Sequence, residues 1–131
     1  MTTSGPKPRI ILADDYPPML EEVSKLLESE FEVVAAVSDG ALAVAAVSKL
    51  KPDAVLLDIH MPEMSGIEAA QKLGDLRSST KIIFLTIERD PEYVRLATAL
   101  NACYVVKSRM ARDLSAAIRE ALAGRVFISS T

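Results

Sequence analysis

Five short runs of apolar residues alternate along the chain with five stretches in which apolar residues recur at helical spacing. The apolar runs cover residues 10–13, 33–37, 54–57, 82–85 and 104–106. No run alternates polar and apolar residues, and a continuous apolar strand is typical of a parallel sheet that is covered on both faces. The pattern therefore predicts an α/β fold: a doubly wound, five-stranded parallel sheet with right-handed crossovers and helices on both faces.

Residues that favour helix starts stand where this interpretation needs them. Pro17 falls in the first turn of the first predicted helix, Ser65 and Glu68 form a capping box, and Asp90 precedes Pro91. The last helix is predicted from the stripe Leu114, Ala117, Ile118, Ala121 and Leu122, with Gly124 as its cap. Strand and helix thus alternate five times.

Composition excludes several classes of protein. Half of the 131 residues are hydrophobic, which excludes a disordered chain, and no apolar run approaches the ~18 residues of a membrane span. The net charge of −3 gives no electrostatic footprint for nucleic acid within these residues. The single histidine, His60, argues against a His-based zinc site, and the single cysteine, Cys103, suits a reducing compartment. We expect a soluble cytoplasmic protein, with residues 1–8 as a flexible leader.

Polar side chains follow the strands, and those after the second strand, Ser38 and Asp39, are left aside because that strand is expected at an outer edge. Asp14 and Asp15 follow the first, Asp58 the third, Thr86 the fourth and Lys107 the fifth. Ligands of such sheets bind beyond the carboxyl ends of the strands, where the strand order reverses. Each residue alone has an ordinary explanation, such as a helix cap for the Asp pair or a solvated charge for Lys107. Their joint placement predicts a shared site.

Three neighbouring carboxylates repel one another unless a cation lies between them. Magnesium prefers oxygen ligands and keeps several waters, so a few carboxylates and a carbonyl would suit it and leave room for a phosphoryl group. A nearby lysine and hydroxyl would stabilise the phosphoryl oxygens. Asp58 is central among the predicted site residues and is the expected nucleophile, since an aspartate can form an acyl phosphate.

The chain resembles the receiver domain of two-component response regulators along residues 9–124. The matching motifs are "ILADD" at 11–15, "LLDIHMPEMSG" at 56–66, "FLT" at 84–86 and "YVVKS" at 104–108. The resemblance implies the strand order 2-1-3-4-5. It also implies that Asp58 accepts a phosphoryl group from a sensor histidine kinase, and that Mg²⁺ is held by Asp14, Asp15, Asp58 and the backbone carbonyl of His60.

The resemblance assigns the switch as well. Thr86 would close on the phosphoryl oxygens, Lys107 would pair with them, and Tyr104 would turn inward, which alters the face of the fourth helix, fifth strand and fifth helix. Such a domain is no enzyme beyond its own phosphoryl transfer and dephosphorylation. Ile87 stands where the family usually has a small side chain, and residues 100–103 read "LNAC" where the family often has Gly-Ala-x-Gly. The exit of the fourth helix must then use Asn101, which tolerates a left-handed backbone, or change shape.

The end of the chain, "AGRVFISST", resembles the end of receivers in NarL/FixJ-type regulators, where a linker leads to a helix-turn-helix DNA-binding domain. Residues 125–131 are therefore predicted as the start of a linker or a tail. The expected protein regulates transcription, forms a phosphorylation-dependent homodimer, and binds DNA only through an effector domain outside these residues. The alternative is a stand-alone receiver that acts as a phosphorelay or interaction module.

Three other interpretations compete with the receiver. A haloacid-dehalogenase-like phosphatase needs two acids spaced two residues apart after the first strand, which "DDYPP" lacks. A flavodoxin-like electron carrier needs a glycine- and hydroxyl-rich phosphate loop there, and an acidic "ADDY" would repel a flavin phosphate. A receiver-like module that is never phosphorylated is disfavoured because the five site residues are all present.

Overall fold

The computed structural model describes residues 6–130, so most of the predicted leader and Thr131 lie outside the described residues. The strands are β1 (Arg9–Ala13), β2 (Glu32–Val37), β3 (Ala54–Leu57), β4 (Lys81–Thr86) and β5 (Cys103–Val106). The helices are α1 (Pro17–Leu27), α2 (Gly40–Leu50), α3 (Gly66–Asp75), α4 (Pro91–Ala99) and α5 (Met110–Leu122). A single 3-10 turn, Lys107–Arg109, joins β5 to α5.

The five strands form one parallel sheet in the order β2-β1-β3-β4-β5. This confirms the predicted fold class and strand order. Ala13 on β1 pairs with Leu57 on β3, so the residues that follow these two strands emerge side by side. The strand order reverses between β1 and β3, which is where a doubly wound sheet binds its ligand.

Each face of the sheet carries its own apolar layer, and strand residues alternate between the two. One layer joins Leu12 and Leu56 to α1 and α5, while the other joins Ile11 and Val55 to α2, α3 and α4. Because both faces are covered, both sets of strand side chains are apolar, which is the physical reason for the continuous apolar runs in the sequence.

The predicted helix caps are present. Ser65 and Glu68 form the capping box of α3, and the Asp90 carboxylate accepts a hydrogen bond at the start of α4. Pro17 opens α1. At the exit of α4, Asn101 adopts the left-handed backbone with φ +56°, as the sequence predicts. These local signals set where the chain turns back towards the sheet.

The residues after α5 return to the sheet. Gly124 takes a left-handed backbone with φ +82°. The Tyr104 amide then donates to the Phe127 carbonyl (2.9 Å), and the Ser129 amide donates to the Tyr104 carbonyl (2.8 Å). Residues 127–129, called the return segment below, therefore lie parallel to β5 along its outer edge.

Within residues 6–130, no helix combines the length and the apolar character that a membrane crossing requires.

Candidate functional site

Three acids meet at the carboxyl edge of the sheet, beyond β1 and β3. The Asp58 amide donates to the Ala13 carbonyl (2.9 Å), which continues the strand pairing and brings Asp58 beside Asp14. One carboxylate oxygen from each of Asp14, Asp15 and Asp58 lies within 4.8 Å of the others. Asp14 and Asp58 are buried, whereas Asp15 is exposed. The site is thus a buried pair of acids with a third at its mouth.

Lys107 reaches this group from the end of β5. Its ammonium nitrogen lies 2.8 Å from Asp14 Oδ2 and 3.5 Å from Asp58 Oδ2. Asp14 Oδ2 accepts no hydrogen bond within residues 6–130, so the ion pair with Lys107 is its compensation there. The structure therefore brings Asp14, Asp15, Asp58 and Lys107 together, as strand-end reasoning predicts.

Within residues 6–130, neither acid of the Asp pair accepts a hydrogen bond from an amide of α1, so the helix-cap interpretation is not supported. Asp14 Oδ1 accepts a hydrogen bond of 2.9 Å from the Tyr16 amide just before α1. Tyr16 itself, at the N-cap position, supplies no side-chain cap. Asp14 therefore serves the turn with one oxygen and faces Lys107 with the other.

Burial raises the pKa of Asp58 above the usual carboxyl value, the positive charge of Lys107 opposes this, and the charge of Asp14 adds to it. A raised pKa means that the charged form of Asp58 is incompletely compensated by its protein neighbours. One lysine balances one of the two buried carboxylates. A further cation would balance the other.

The donor set fits magnesium. It consists of carboxylate oxygens, which are hard ligands, and the buried Asp14 Oδ2 has no partner among the described residues other than its ion pair with Lys107. The ring of His60 is not part of the acid group: it packs edge-on against Tyr93 on α4, with ring centroids 5.6 Å apart. A role for His60 as a ligand would rest on its backbone carbonyl, as the resemblance to receiver domains implies.

The loop between β3 and α3 closes tightly beneath Asp58. The Gly66 amide donates to the Ile59 carbonyl (2.8 Å). A Cβ atom at position 66 would lie 2.1 Å from the Asp58 carbonyl oxygen, a distance that side chains do not tolerate. Gly66 is required because the backbone of α3 passes against the backbone of Asp58.

The two predicted switch residues are buried on neighbouring strands. Thr86 ends β4 with 3 % of its surface exposed, and Tyr104 on β5 is fully buried. The Tyr104 hydroxyl donates to the Glu88 carbonyl (2.7 Å) and accepts from the Asp90 amide (3.3 Å). Tyr104 thus already has the inward orientation, held by the loop between β4 and α4.

A second polar cluster, which the sequence interpretation did not single out, lies at the base of α5. Buried Asp113 accepts hydrogen bonds from Ser129 Oγ (2.7 Å) and Arg109 Nε (3.1 Å). Asp113 falls on the apolar stripe of α5, one residue before Leu114. An acid on a buried stripe requires a partner. That requirement was the available signal, although the sequence does not identify the partner.

Comparisons with known proteins agree on one family. The family model for the response regulator receiver domain matches residues 10–119. The transcriptional regulatory protein DegU of Brevibacillus brevis is 36 % identical over 125 residues, which cover 93 % of this chain and 53 % of DegU.

Two solved structures are similar throughout. A two-component response regulator of the LuxR family from Aurantimonas sp. SI85-9A1 has a TM-score of 0.87 and 31 % identity, covering 95 % of this chain and 90 % of that one. The signal receiver domain described as NarL from Mycobacterium tuberculosis has a TM-score of 0.87 and 27 % identity, covering 92 % of this chain and all of that one. The chain spans about half the length of the curated relatives that it matches.

Proposed function

The chain belongs to the family of response regulator receiver domains of two-component systems, and within it we propose that Asp58 accepts a phosphoryl group from a sensor histidine kinase. Membership of this family excludes the phosphatase and electron-carrier interpretations. The observation that carries the proposal is the convergence of three carboxylates within 4.8 Å of one another, with the Lys107 ammonium 2.8 Å from Asp14. Neither a helix-capping role for the acids nor a solvated role for Lys107 would explain why these residues lie together.

The reaction is a transfer from nitrogen to oxygen. A carboxylate oxygen of Asp58 attacks phosphorus and forms a P–O bond, while the P–N bond of the kinase phosphohistidine breaks and its electron pair stays on the ring nitrogen. Lys107 is placed to pair with the transferred oxygens, and the Thr86 hydroxyl to hydrogen-bond to them. Asp14, Asp15, Asp58 and the His60 carbonyl would hold Mg²⁺, which when bound supplies charge neutralisation for the phosphoryl oxygens.

Receiver domains are not classical enzymes, and the catalysis proposed here is limited to the domain's own phosphoryl transfer and dephosphorylation. The consequence is a conformational switch. Closure of Thr86 on the phosphoryl group favours the inward orientation of Tyr104 and so alters the face of α4, β5 and α5. Phosphorylation shifts this equilibrium only by its differential interaction with the two states.

The wider function proposed is regulation of transcription in the cytoplasm. It is supported by relatives whose names describe transcriptional regulators and of which the chain spans about half. We assign residues 9–124 to the receiver, 1–8 to a leader and 125–131 to a linker or tail, with DNA bound by an effector domain elsewhere and phosphorylation promoting a homodimer. A stand-alone receiver is the second candidate. The reading frame beyond Thr131 distinguishes them: a helix-turn-helix sequence supports the first, and a stop codon supports the second.

Intact-mass spectrometry tests the acceptor. The protein is incubated with Mg²⁺ and a small acyl-phosphate donor, and one phosphoryl group is expected to be added. Asp58→Asn should abolish the added mass, and so should chelation of Mg²⁺. Asp75→Asn, which changes an exposed acid at the end of α3, is the matched control and should label like the parent. Equal labelling of Asp58→Asn and the parent contradicts the assignment.

A further inference from the structure

The return segment (residues 127–129) contacts the switch through Tyr104. The side chain of Tyr104 is held by the loop between β4 and α4, through the Glu88 carbonyl and the Asp90 amide. Its main chain is held by the return segment, through the Phe127 carbonyl and the Ser129 amide. One residue therefore joins the loop that follows Thr86 to the segment that follows α5.

The same loop also contacts the return segment directly. Arg89 Nε donates a hydrogen bond of 3.0 Å to the Ser129 carbonyl. Arg89 lies three residues after Thr86. A displacement of Thr86 towards a phosphoryl group would therefore also move the backbone that carries the Arg89 guanidinium. The loop between β4 and α4, Tyr104 and the return segment therefore each contact the other two.

A second path connects the acid site to Ser129 through β5. The Val106 amide donates to Ser129 Oγ (3.3 Å), and Val106 directly precedes Lys107. Ser129 Oγ in turn donates to Asp113 on α5 (2.7 Å). Ser129 is 1 % exposed, so its hydroxyl is an interior anchor. Thr86 and Lys107 are thus each within three residues of a residue that hydrogen-bonds to Ser129, namely Arg89 and Val106.

We propose that the return segment is a working part of the switch: its docking on β5 and the inward orientation of Tyr104 stabilise each other. The structure shows both together. The inference rests on the proposed function and extends it, because phosphorylation of Asp58, by favouring inward Tyr104, also tightens the return segment. Coupling is reciprocal, so docking of the segment equally favours the phosphorylated conformation.

The construction of the segment suits this role. Two main-chain hydrogen bonds pair it with β5, and Phe127 and Ile128 are only partly buried. A strand with so few bonds opens locally at much lower free energy than the central sheet. A coupling of the usual size between two sites, about 5- to 150-fold in an equilibrium constant, can therefore shift its docked population.

Amide hydrogen exchange of Ser129 and Tyr104 tests the inference, because these amides make the two pairing bonds. Intact mass first establishes that the sample carries the phosphoryl group. Protection of both amides should then rise by about fivefold or more, the lower end of the usual coupling. The Asp53 amide, which donates to the Arg9 carbonyl at the opposite end of the sheet, is the internal reference and should not change.

Two variants separate the coupling from simple strand stability. Arg89→Ala removes the contact between the loop and the return segment; it should label normally at Asp58 yet lose most of the rise in Ser129 protection. Arg95→Ala, which removes an exposed arginine paired with Glu92 on α4, is the matched control and should keep the rise. A fully labelled parent with unchanged Ser129 protection overturns the inference, as does an Arg89→Ala protein that keeps the whole rise.

A further variant tests the coupling without phosphorylation. Tyr104→Phe removes the hydroxyl that bonds to Glu88 and Asp90, so Ser129 protection should fall while the Asp53 amide is unaffected. Unchanged Ser129 protection in Tyr104→Phe overturns the inference even if the protein never labels. Absence of labelling in the parent contradicts the proposed acceptor instead, so the two failures are distinguishable.

Discussion

Asp15 differs from the other two site acids because its carboxylate is exposed, and its removal tests whether the group is built for a cation. Asp15→Ala should lower Mg²⁺ affinity strongly, as measured by calorimetric titration. Thermal stability in chelator should hold or rise slightly, since one repulsive charge is lost. Asp75→Ala is the matched control and should leave Mg²⁺ affinity unchanged. A marked loss of metal-free stability in Asp15→Ala would instead support a capping role.

The raised pKa of Asp58 predicts how stability depends on pH in the absence of metal. Burial is the main cause of this raised pKa, opposed by Lys107 and reinforced by Asp14. The folded protein holds this proton at pH values where the unfolded chain has released it. The contribution of Asp58 to the free energy of unfolding is therefore fully present below the ordinary carboxyl pKa and is lost as pH rises through the raised one.

Urea unfolding in chelator from pH 3.5 to 8 measures this contribution. Asp58→Asn should remove that fall in stability and leave the variant more stable than the parent at neutral pH. Parallel pH profiles for the two proteins would show that burial of the charged Asp58 carboxylate does not destabilise the fold.

We expect Ile87 to limit the rate at which small acyl-phosphate donors phosphorylate Asp58. Its side chain is 71 % exposed immediately after Thr86, and we predict that a branched group at this position restricts access to the acids. Ile87→Ala should speed labelling by acyl-phosphate donors a few-fold, followed by intact mass against time. Leu42→Ala, at an exposed apolar position on α2, is the control. An unchanged rate in Ile87→Ala would mean that the side chain points away from the entrance.

At the scale of elements, the close passage of α3 against β3 predicts a contrast between two glycines. An added methyl at Gly66 would meet the Asp58 carbonyl at 2.1 Å, so Gly66→Ala should cost about 1–3 kcal/mol and weaken Mg²⁺ binding. At Gly74, also on α3, a Cβ meets no atom of residues 6–130 within 4 Å apart from the adjoining residues and the backbone of its own helix. Gly74→Ala should therefore be neutral or stabilise by up to about 1 kcal/mol. Chemical denaturation measures both, and equal effects would contradict the close approach.

Elements whose signals are local were predictable from sequence. The continuous apolar runs located the strands because both sheet faces are covered, and Ser65 and Asp90 marked helix starts because capping involves residues two or three positions apart. The acid group was predictable from topology alone, since the carboxyl ends of parallel strands share one edge. Asp14, Asp58 and Lys107 meet for that reason.

Contacts that depend on the path of the chain after a helix were not predictable. Ser129 bonds to Asp113 because the chain turns at Gly124 and runs back along β5. Neither hydrophobic periodicity nor composition marks a segment of three residues as a strand. The preference of Lys107 for Asp14 over Asp58, 2.8 Å against 3.5 Å, depends on side-chain paths that a sequence does not specify.

At the scale of the whole molecule, the candidate site residues lie together at the carboxyl edge of the sheet, apart from the apolar layers. The acids, Lys107 and Thr86 lie at one edge, and each is the residue that ends or follows a strand buried between two apolar layers. Tyr104 and the return segment lie at the β5 side of the same sheet. A change at the acids can therefore reach the β5 side of the molecule through few residues.

The central claim is that Asp58 carries the phosphoryl group, and reduction of the acyl phosphate tests it most directly. The protein is labelled with Mg²⁺ and an acyl-phosphate donor, treated with borohydride, and digested for peptide sequencing by mass spectrometry. A carboxyl group activated as an acyl phosphate is reduced to an alcohol, so the account predicts homoserine at position 58 and unmodified aspartate at Asp14 and Asp15. Homoserine at Asp14 or Asp15, or a reduced sample with aspartate intact at all three positions, would contradict it.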